Sequence, residues 1–391
     1  MRETINHYLS QFDLDIRKSH DARFVDQKCT PDILCFMADC FLNTIAIKPI
    51  FVINDIWETQ YFIQNSRVLF NKPWANDRHA YNEYNKVLSQ PLKLLAYAQV
   101  LEVKKVRSSL AFSVKNEDLL DYIARKDRNA YNFLYCYFMK VMSDSGFLKY
   151  LDEYKAHYMS HPKTAKAEVY AKYFRLINGN TPTHSRLDIT RMFHKVFNVY
   201  AVEHNLIGSN GKPAYYSDLM YNRKNWRDLE KNKTVTRYES SLNAREDATQ
   251  AAINSYYVQK AIAVIRKIQQ ESEVKDAWSQ GAATQIHHIF PKAQFPQIAH
   301  YVENLILLTP TQHYTKAHPN NRTQQINEDY QLVCLLAKAN TIEQSLRTVG
   351  DRYYRKESFI YVVNTGLSAS LSTNLNFSDI KTEIIKMYNK I

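Results

Sequence analysis

The chain has 391 residues with 45% hydrophobic and 13% aromatic side chains, which excludes an intrinsically disordered polypeptide and predicts two or three domains. Only seven glycines are present, so the expected fold is mainly α with small β elements, an α+β protein. The 51 Lys and Arg residues outnumber the 39 Asp and Glu residues, and the formal net charge of +12 favours a polyanionic partner without requiring one.

The cysteines and the apolar segments indicate the cellular compartment of the protein. Five cysteines, an odd number with no CxxC pair, argue against a secreted disulfide framework and against a zinc ribbon. The first residues lack the apolar core of a signal peptide, and no stretch approaches the roughly 18 uninterrupted apolar residues of a membrane span. We therefore expect a soluble cytoplasmic protein that makes no contact with a membrane.

Residues 1–120 predict a helical domain with one β-hairpin. Its predicted elements, in chain order, are helices at Pro31–Asn43, Ile53–Phe70 and Pro91–Leu101 and strands at Glu102–Arg107 and Leu110–Lys115. Three helices followed by a hairpin is the order of a winged helix, which commonly binds the major groove of DNA. A generic helical domain with one hairpin is the alternative.

Residues 121–240 predict a helical middle region that ends in a basic and aromatic segment. Helices are expected within Asn116–Tyr158 and over Leu187–His204, and loops at Asn178–Pro182 and Gly208–Pro213. The following segment mixes basic and aromatic side chains that suit phosphate contacts, among them Arg223, Lys224 and Arg227. A solvated linker face is an equally good interpretation of this segment.

Residues 241–391 begin with a predicted long helix, about Leu242–Gln270, which leads to the most informative stretch. Residues 284–319 read TQIHHIFPKAQFPQIAHYVENLILLTPTQHYTKAHP. Two apolar segments, one around paired histidines and one of branched aliphatics, predict strands, and a helix is expected to begin at Thr309 or Thr311. The order of strand, loop, strand and helix predicts a compact hairpin with one helix. An amphipathic helix is expected later, over Asp329–Arg347.

This stretch resembles the HNH nuclease superfamily, also named ββα-metal or His-Me finger. Its pattern has an acid or histidine directly before a catalytic histidine, then an asparagine before an aliphatic strand, and a helical histidine or asparagine nine positions later. His287 and His288 match the adjacent pair. Asn304 and His313 match the later positions, and the aliphatic run after the asparagine matches as well.

The resemblance implies a metal-dependent DNA endonuclease that leaves 5′-phosphate and 3′-hydroxyl ends. His288 would be the general base that activates water, and Asn304 would pin the loop and orient that base. His287 and His313 would hold one divalent metal, Mg²⁺, with Mn²⁺, Co²⁺ or Ni²⁺ as substitutes. Many members carry CxxC pairs for a structural zinc, whereas Thr309 and one further polar residue, Gln312, stand at those positions here, so no structural zinc is expected.

Further residues near the motif are candidates for contacts with DNA or metal. Lys316 lies three residues after the helical histidine and could contact the scissile phosphate or be a surface lysine. Lys292 directly after the first strand could touch the DNA backbone. His318 could be an additional ligand or could cap helix carbonyls. His300 and Glu303 on the connection between the strands could also reach the metal.

The flanking sequence is similar to HNH-type type II restriction endonucleases, in the stretches FVDQKCTPDIL, MYNRKNWRDL and HHIFP to ENLILLTPTQH. The absence of a GxxxxGK[ST] sequence argues against an ATP-driven enzyme and a nucleotide cofactor. Enzymes that cut palindromes are commonly two-fold dimers, so we expect a homodimer on double-stranded DNA. The alternatives are another HNH nuclease, either a homing enzyme or a defence enzyme for modified DNA, and a non-catalytic DNA-binding protein.

Overall fold

The computed structural model describes residues 1–70, 81–157, 162–221, 246–317 and 327–389 of the chain. Across these residues the fold is mainly helical with two small antiparallel strand pairs, which confirms the predicted mainly α, α+β class. The chain divides into two compact units, Arg2–Asn243 and Ala244–Ile391. Of the three segments predicted from the sequence, 1–120 and 121–240 both fall within the first unit.

The first unit is built around one apolar helix. Its described helices of four residues or more are α1 Arg2–Leu9, α2 Ile16–Ser19, α3 Pro31–Ile45, α4 Ile53–Trp57, α5 Gln60–Phe70, α6 Tyr81–Tyr97, α7 Glu117–Arg125, α8 Asp127–Asp144, α9 Leu148–His157, α10 Pro162–Asn180, α11 Arg186–Glu203 and a 3₁₀ turn at Tyr216–Leu219. Helix α3 begins after Thr30, whose backbone is extended, with Pro31 in the first turn. It is apolar on all sides and packs against α7 and α8, so it forms the centre of this unit.

The hairpin predicted in the first unit is present within one residue of its predicted bounds. Strand β1, Leu101–Val106, pairs antiparallel with β2, Ser109–Val114, from Leu101 opposite Val114 to Val106 opposite Ser109. On its other edge β2 meets an extended residue, Phe51, which exchanges two backbone hydrogen bonds with Phe112 of 3.0 and 2.8 Å. The pairing of Phe51 with strand β2 was not predicted from the sequence.

Three elements predicted in the first unit differ from those in the structure. The helix expected to begin at Pro91 already begins at Tyr81 and contains the proline, because that ring is buried in the core and removes only one backbone donor. The single stretch Ile53–Phe70 is two helices, α4 and α5. The loop expected from Asn178 begins only after Asn180, where α10 ends.

The second unit surrounds a two-stranded sheet with helices. Its main described elements are α12 Glu246–Ile268, β3 Gln285–His288, β4 Leu305–Leu308, a π-helical turn Gln312–Ala317, α13 Glu328–Val349, α14 Lys356–Gly366 and α15 Phe377–Tyr388. All four residues of β4 are buried in an aliphatic core that draws on α12, α13, α14 and α15. In the described parts of the chain, every helix is too short or too polar to cross a membrane.

Candidate active site

The two adjacent histidines lie at the end of strand β3. His287 pairs with Ile306, and His288 pairs with Leu305, the first residue of β4. Because neighbouring strand residues point to opposite faces, the two imidazoles are directed to different sides of the hairpin. His287 is buried, at 4% exposure, whereas His288 is half-buried. The strand end therefore separates the two histidines into two environments.

His287 meets His313, which the π-helical turn carries. The centroids of the two imidazole rings are 5.3 Å apart, and the ring planes cross at 76°. Imidazole nitrogens bind divalent metals at about 2.1 Å, so two rings on one ion at angles of 90–110° have centroids about 4.5–5.3 Å apart. The pair thus fits two ligands of one divalent metal.

His288 is held by the loop that joins the strands. Its Nε2 lies 3.0 Å from the carbonyl oxygen of Ala299, which can only accept a hydrogen bond. This contact assigns the proton to Nε2 and leaves a lone pair on Nδ1. Burial lowers the pKa of His288, the Ala299 carbonyl opposes this, and the Lys292 charge adds to the lowering. The neutral imidazole therefore predominates at neutral pH.

Asn304 fixes the same loop from inside the core. Its Oδ1 accepts a hydrogen bond of 2.8 Å from the backbone N–H of Phe290, and its Nδ2 donates to the Phe290 carbonyl at 3.0 Å. Nδ2 also donates to the carbonyl of Ile298 at 3.3 Å. The side chain is fully buried, and its own backbone carbonyl accepts from Ile289. One amide thus ties both ends of the connection to the start of β4.

A polar cluster fixes the turn that carries His313. The Gln312 side-chain oxygen accepts from the Ser272 hydroxyl at 2.6 Å and from the Thr309 backbone at 3.0 Å. Its nitrogen donates to Asp276 at 2.8 Å and to the carbonyl of Val274 at 3.0 Å. Thr309 and Gln312, at the positions where the resemblance would put a zinc-binding pair, are both buried. The cluster gives the turn a rigid base made of protein hydrogen bonds.

Behind the site, Glu273 makes two hydrogen bonds to the backbone of strand β4. Its backbone N–H donates to the carbonyl of Leu307 at 3.0 Å, and its carboxylate accepts from the Leu307 N–H at 2.9 Å. The buried Lys338 of α13 contacts that carboxylate at 2.7 Å and also donates to the Tyr354 hydroxyl at 3.3 Å. Burial lowers the pKa of Lys338, but the charges of Glu273 and Tyr354 and the hydrogen bonds to both side chains together outweigh it, so the net pKa is raised.

Glu273 and Lys338 were not identified from the sequence. They are 65 residues apart, and neither belongs to a local pattern that marks a buried charge. The same holds for Gln331, which donates to the carbonyl of Ile289 at 2.7 Å and accepts from Tyr388 at 2.7 Å. These residues support the site through the backbone of the hairpin.

The other residues near the motif that were expected to contact DNA or metal differ in burial and in their neighbours. The Lys316 ammonium lies over the exposed indole ring of Trp278, 4.8 Å from its centroid, and Lys292 is exposed near His288. Glu303, which was expected to be able to reach the metal, has a fully buried carboxylate that accepts from the backbone N–H of Arg355 at 3.0 Å.

The His300 ring packs at a tilt against two tyrosine rings, with centroids 4.9 Å from Tyr301 and 6.0 Å from Tyr257. The helix expected to begin at Thr309 or Thr311 begins at Pro310, and its residues Gln312–Ala317 form a π-helical turn. Four candidates lie outside the described residues, namely Arg223, Lys224, Arg227 and His318.

Comparison of the chain with protein-family models, with curated proteins and with solved structures gave no match. Within the described parts of the chain, His, Cys, Asp and Glu side chains form no metal-binding group of three or more. The facing pair of His287 and His313 is therefore the basis for any metal assignment, and a functional interpretation depends on the geometry of the hairpin and its turn.

Proposed function

We propose that the chain is a metal-dependent DNA endonuclease of the HNH type, with one ββα-metal site per chain. The observation that carries the proposal is the arrangement of three histidines on a hairpin and a helical turn. His287 faces His313 at a metal-binding separation, while His288 is held on the other face with one nitrogen available as a base. Phosphodiester hydrolysis requires a Lewis acid and a general base, and the three histidines offer two metal ligands and one base.

The chain's own residues account for the proton transfer. Nδ1 of His288 accepts a proton from the attacking water, and the Ala299 carbonyl stabilises the imidazolium that forms through the Nε2–H donor. Asn304 keeps that carbonyl in position by fixing the loop on either side of it. The water attacks phosphorus, and the bond to the 3′ oxygen breaks. The leaving oxygen takes a proton from solvent water and His288 returns its proton to solvent, which leaves a 5′-phosphate and a 3′-hydroxyl.

His287 and His313 would hold the divalent metal, Mg²⁺, with Mn²⁺, Co²⁺ or Ni²⁺ as substitutes. When bound, this ion supplies Lewis-acid stabilisation of the charge that develops on the phosphate and on the 3′ leaving oxygen. Two protein ligands leave coordination positions for phosphate oxygens and water, as a catalytic site needs. Lys316 and the exposed Lys292 are proposed to contact DNA phosphates.

The proposal includes a winged helix in the first unit. Helices α3, α4, α5 and α6 precede the β1–β2 hairpin, as helices precede the hairpin in that fold. The bridge between Phe51 and Phe112 joins the hairpin to the segment between α3 and α4. The +12 net charge agrees with a polyanionic substrate.

We propose restriction of foreign DNA by a cytoplasmic homodimer as the biological role. Two of the stretches that resemble restriction enzymes meet at one point in the first unit. Tyr221 donates its backbone N–H to Asp32 at 3.0 Å, and Lys28 donates to the Tyr221 hydroxyl at 3.0 Å. A homing enzyme or a defence enzyme for modified DNA would use the same catalytic chemistry.

Plasmid cleavage tests the nuclease proposal. The purified chain is expected to cut plasmid DNA with Mg²⁺ or Mn²⁺ and to stop with EDTA. His288→Ala should lose cleavage but still bind Mn²⁺, whereas His287→Ala and His313→Ala should lose both. His157→Ala, at an exposed histidine of the first unit, is the matched control and should cut normally. Cleavage by His288→Ala at the wild-type rate would refute the assignment, and absence of cleavage on modified and unmodified DNA would favour a binding protein.

A further inference from the structure

Trp278 is an exposed aromatic residue beside the turn that carries His313. It is 46% exposed to solvent, which is a large fraction for a side chain of this size. Its carbonyl oxygen accepts a hydrogen bond of 2.9 Å from the Thr309 hydroxyl, and the Thr309 carbonyl accepts from the backbone N–H of His313 at 3.0 Å. Two hydrogen bonds through one residue therefore link Trp278 to a proposed metal ligand.

One carboxylate organises the loop that presents Trp278. Oδ1 of Asp276 accepts from the Trp278 backbone N–H at 2.9 Å and from the Gln312 amide at 2.8 Å. Oδ2 of Asp276 accepts from the Tyr330 hydroxyl at 2.9 Å, and its backbone carbonyl accepts from the Ser279 hydroxyl at 2.7 Å. An aromatic side chain on a loop fixed in this way binds a partner at little cost in conformational entropy.

A lysine from the same turn lies against the indole ring. The Lys316 ammonium is 4.8 Å from the ring centroid, and Lys316 lies three residues after His313. Among the residues that the structure describes, no aromatic ring and no second cation packs on this indole. A cation beside an uncovered aromatic surface suits a nucleotide, which combines a phosphate anion with a flat aromatic base.

We propose that Trp278 stacks on a nucleobase that has left the duplex, next to the phosphate that the site cleaves, while Lys316 contacts a phosphate of the same strand. The inference rests on the proposed function in taking DNA as the substrate, and it names the form of that DNA: a strand with an unpaired or flipped base at the cut. Inside a duplex each base is covered by its neighbours, so an indole can stack only on a base outside the helical stack. Such stacking tolerates any sequence, because every base has an aromatic face.

The alternative explanation is that the indole serves only to hold the lysine. Single exposed apolar side chains are common on protein surfaces, and a cation over an aromatic ring is a frequent contact. Trp278 would then act on phosphates through Lys316, and its loss would weaken binding to any strand with the same phosphates. If Trp278 stacks on a base, its loss weakens binding only to strands that carry bases. The two explanations therefore differ in a measurable way.

The test compares two labelled single strands of about 12 nucleotides, oligothymidylate and an abasic strand with the same phosphates. Fluorescence anisotropy in EDTA measures binding of the full chain to each strand without cleavage. A stacked base contributes roughly 5- to 150-fold in affinity, so Trp278→Leu should weaken oligothymidylate binding about tenfold and leave abasic binding unchanged. Lys316→Gln should weaken both by a similar factor. Tyr215→Leu, which removes an exposed ring of the first unit, is the matched control and should bind both strands normally.

Tryptophan fluorescence gives a second measurement. Stacking on a base quenches the fluorescence of an indole, so oligothymidylate should quench the wild-type chain more than the abasic strand does. Trp278→Phe keeps an aromatic ring and should retain most of the affinity, while this base-dependent quenching disappears. Circular dichroism and thermal melting check that both variants fold, as expected for changes to an exposed side chain.

An equal loss of affinity for both strands in Trp278→Leu would overturn the proposal, because the indole would then act only through Lys316. Unchanged affinity for both strands would overturn it as well, and so would self-association of the wild-type chain that Trp278→Leu alone abolishes. The outcomes separate from those of the nuclease proposal. A chain that binds bases through Trp278 but does not cut plasmid DNA keeps the stacking assignment and removes the catalytic one. Normal cutting, with no base-dependent loss in Trp278→Leu, does the opposite.

Discussion

Replacement of Asn304 by alanine is the most direct perturbation of the loop that positions His288. The change removes three hydrogen bonds to the backbone, two to Phe290 and one to Ile298, and leaves these buried groups without the amide. At about 1 kcal/mol net for each bond, the free energy of unfolding of the second unit should fall by about 3 kcal/mol. Because the loop carries the carbonyl that holds His288, the turnover number should also fall, by roughly 10- to 100-fold.

The second unit offers a matched control in Asn364. Its side chain makes the same kind of clamp, donating to the Leu371 carbonyl at 3.1 Å and accepting from the Leu371 N–H at 2.7 Å, at a half-buried position outside the catalytic hairpin. Asn364→Ala should cost about 1–2 kcal/mol of stability and leave the turnover of folded protein unchanged.

Urea unfolding gives the stabilities of both variants, and hydrogen exchange over residues 285–308 localises the loss in Asn304→Ala. Plasmid nicking is then compared at a temperature at which both variants are folded and DNA is saturating. A turnover number in Asn304→Ala equal to that in Asn364→Ala would refute the positioning role, because the amide would then serve stability alone. A fall in kcat with little change in KM would support it.

Three further outcomes are expected from the packing and the polar core. Gly366→Ala should destabilise the second unit by about 1–3 kcal/mol, since an added methyl group would overlap the Phe290 ring. Gly179→Ala should not destabilise the protein, because the space around Gly179 is open. Thermal melting of both variants checks this. Lys338→Met should cost about 3–5 kcal/mol because it leaves the Glu273 carboxylate buried without its cation, and urea unfolding that shows less than 1 kcal/mol would contradict the argument. Removal of divalent metal by EDTA should abolish cleavage and leave the melting temperature within about 2 °C, because hydrogen bonds hold the turn; a large drop in calorimetry would indicate a structural metal.

The sequence predicted those elements whose pattern is local. The β1–β2 hairpin was located within one residue, because two short strands with polar residues between them have few other solutions. The pairing of His287 and His288 with the strand of Leu305 also followed from apolar runs that flank the motif. Asn304 was identified by the resemblance to the HNH pattern, and the structure adds the bonds that its amide makes.

The remaining features depend on contacts between distant residues. Pro91 reads as a helix start, but burial in the core lets a helix continue through it. The residue of β4 that bonds Glu273 and the residue that pairs with β2, Phe51, are distant in sequence from their partners. Such contacts produce no periodic pattern in the sequence. The buried Glu303 side chain contacts the backbone of Arg355, at the start of the next helix. No sequence spacing predicts this contact.

The bond of Glu273 to strand β4 and its pairing with Lys338 make the β3–β4 hairpin dependent on chain segments before and after it. A synthetic fragment of residues 284–319 would lack both, and it should not fold as an independent cassette. On the ribosome the hairpin emerges before Lys338, so the newly made chain cannot complete the hairpin's surroundings until α13 follows. Transplanting this chemistry onto another scaffold would therefore require the whole of Ala244–Ile391.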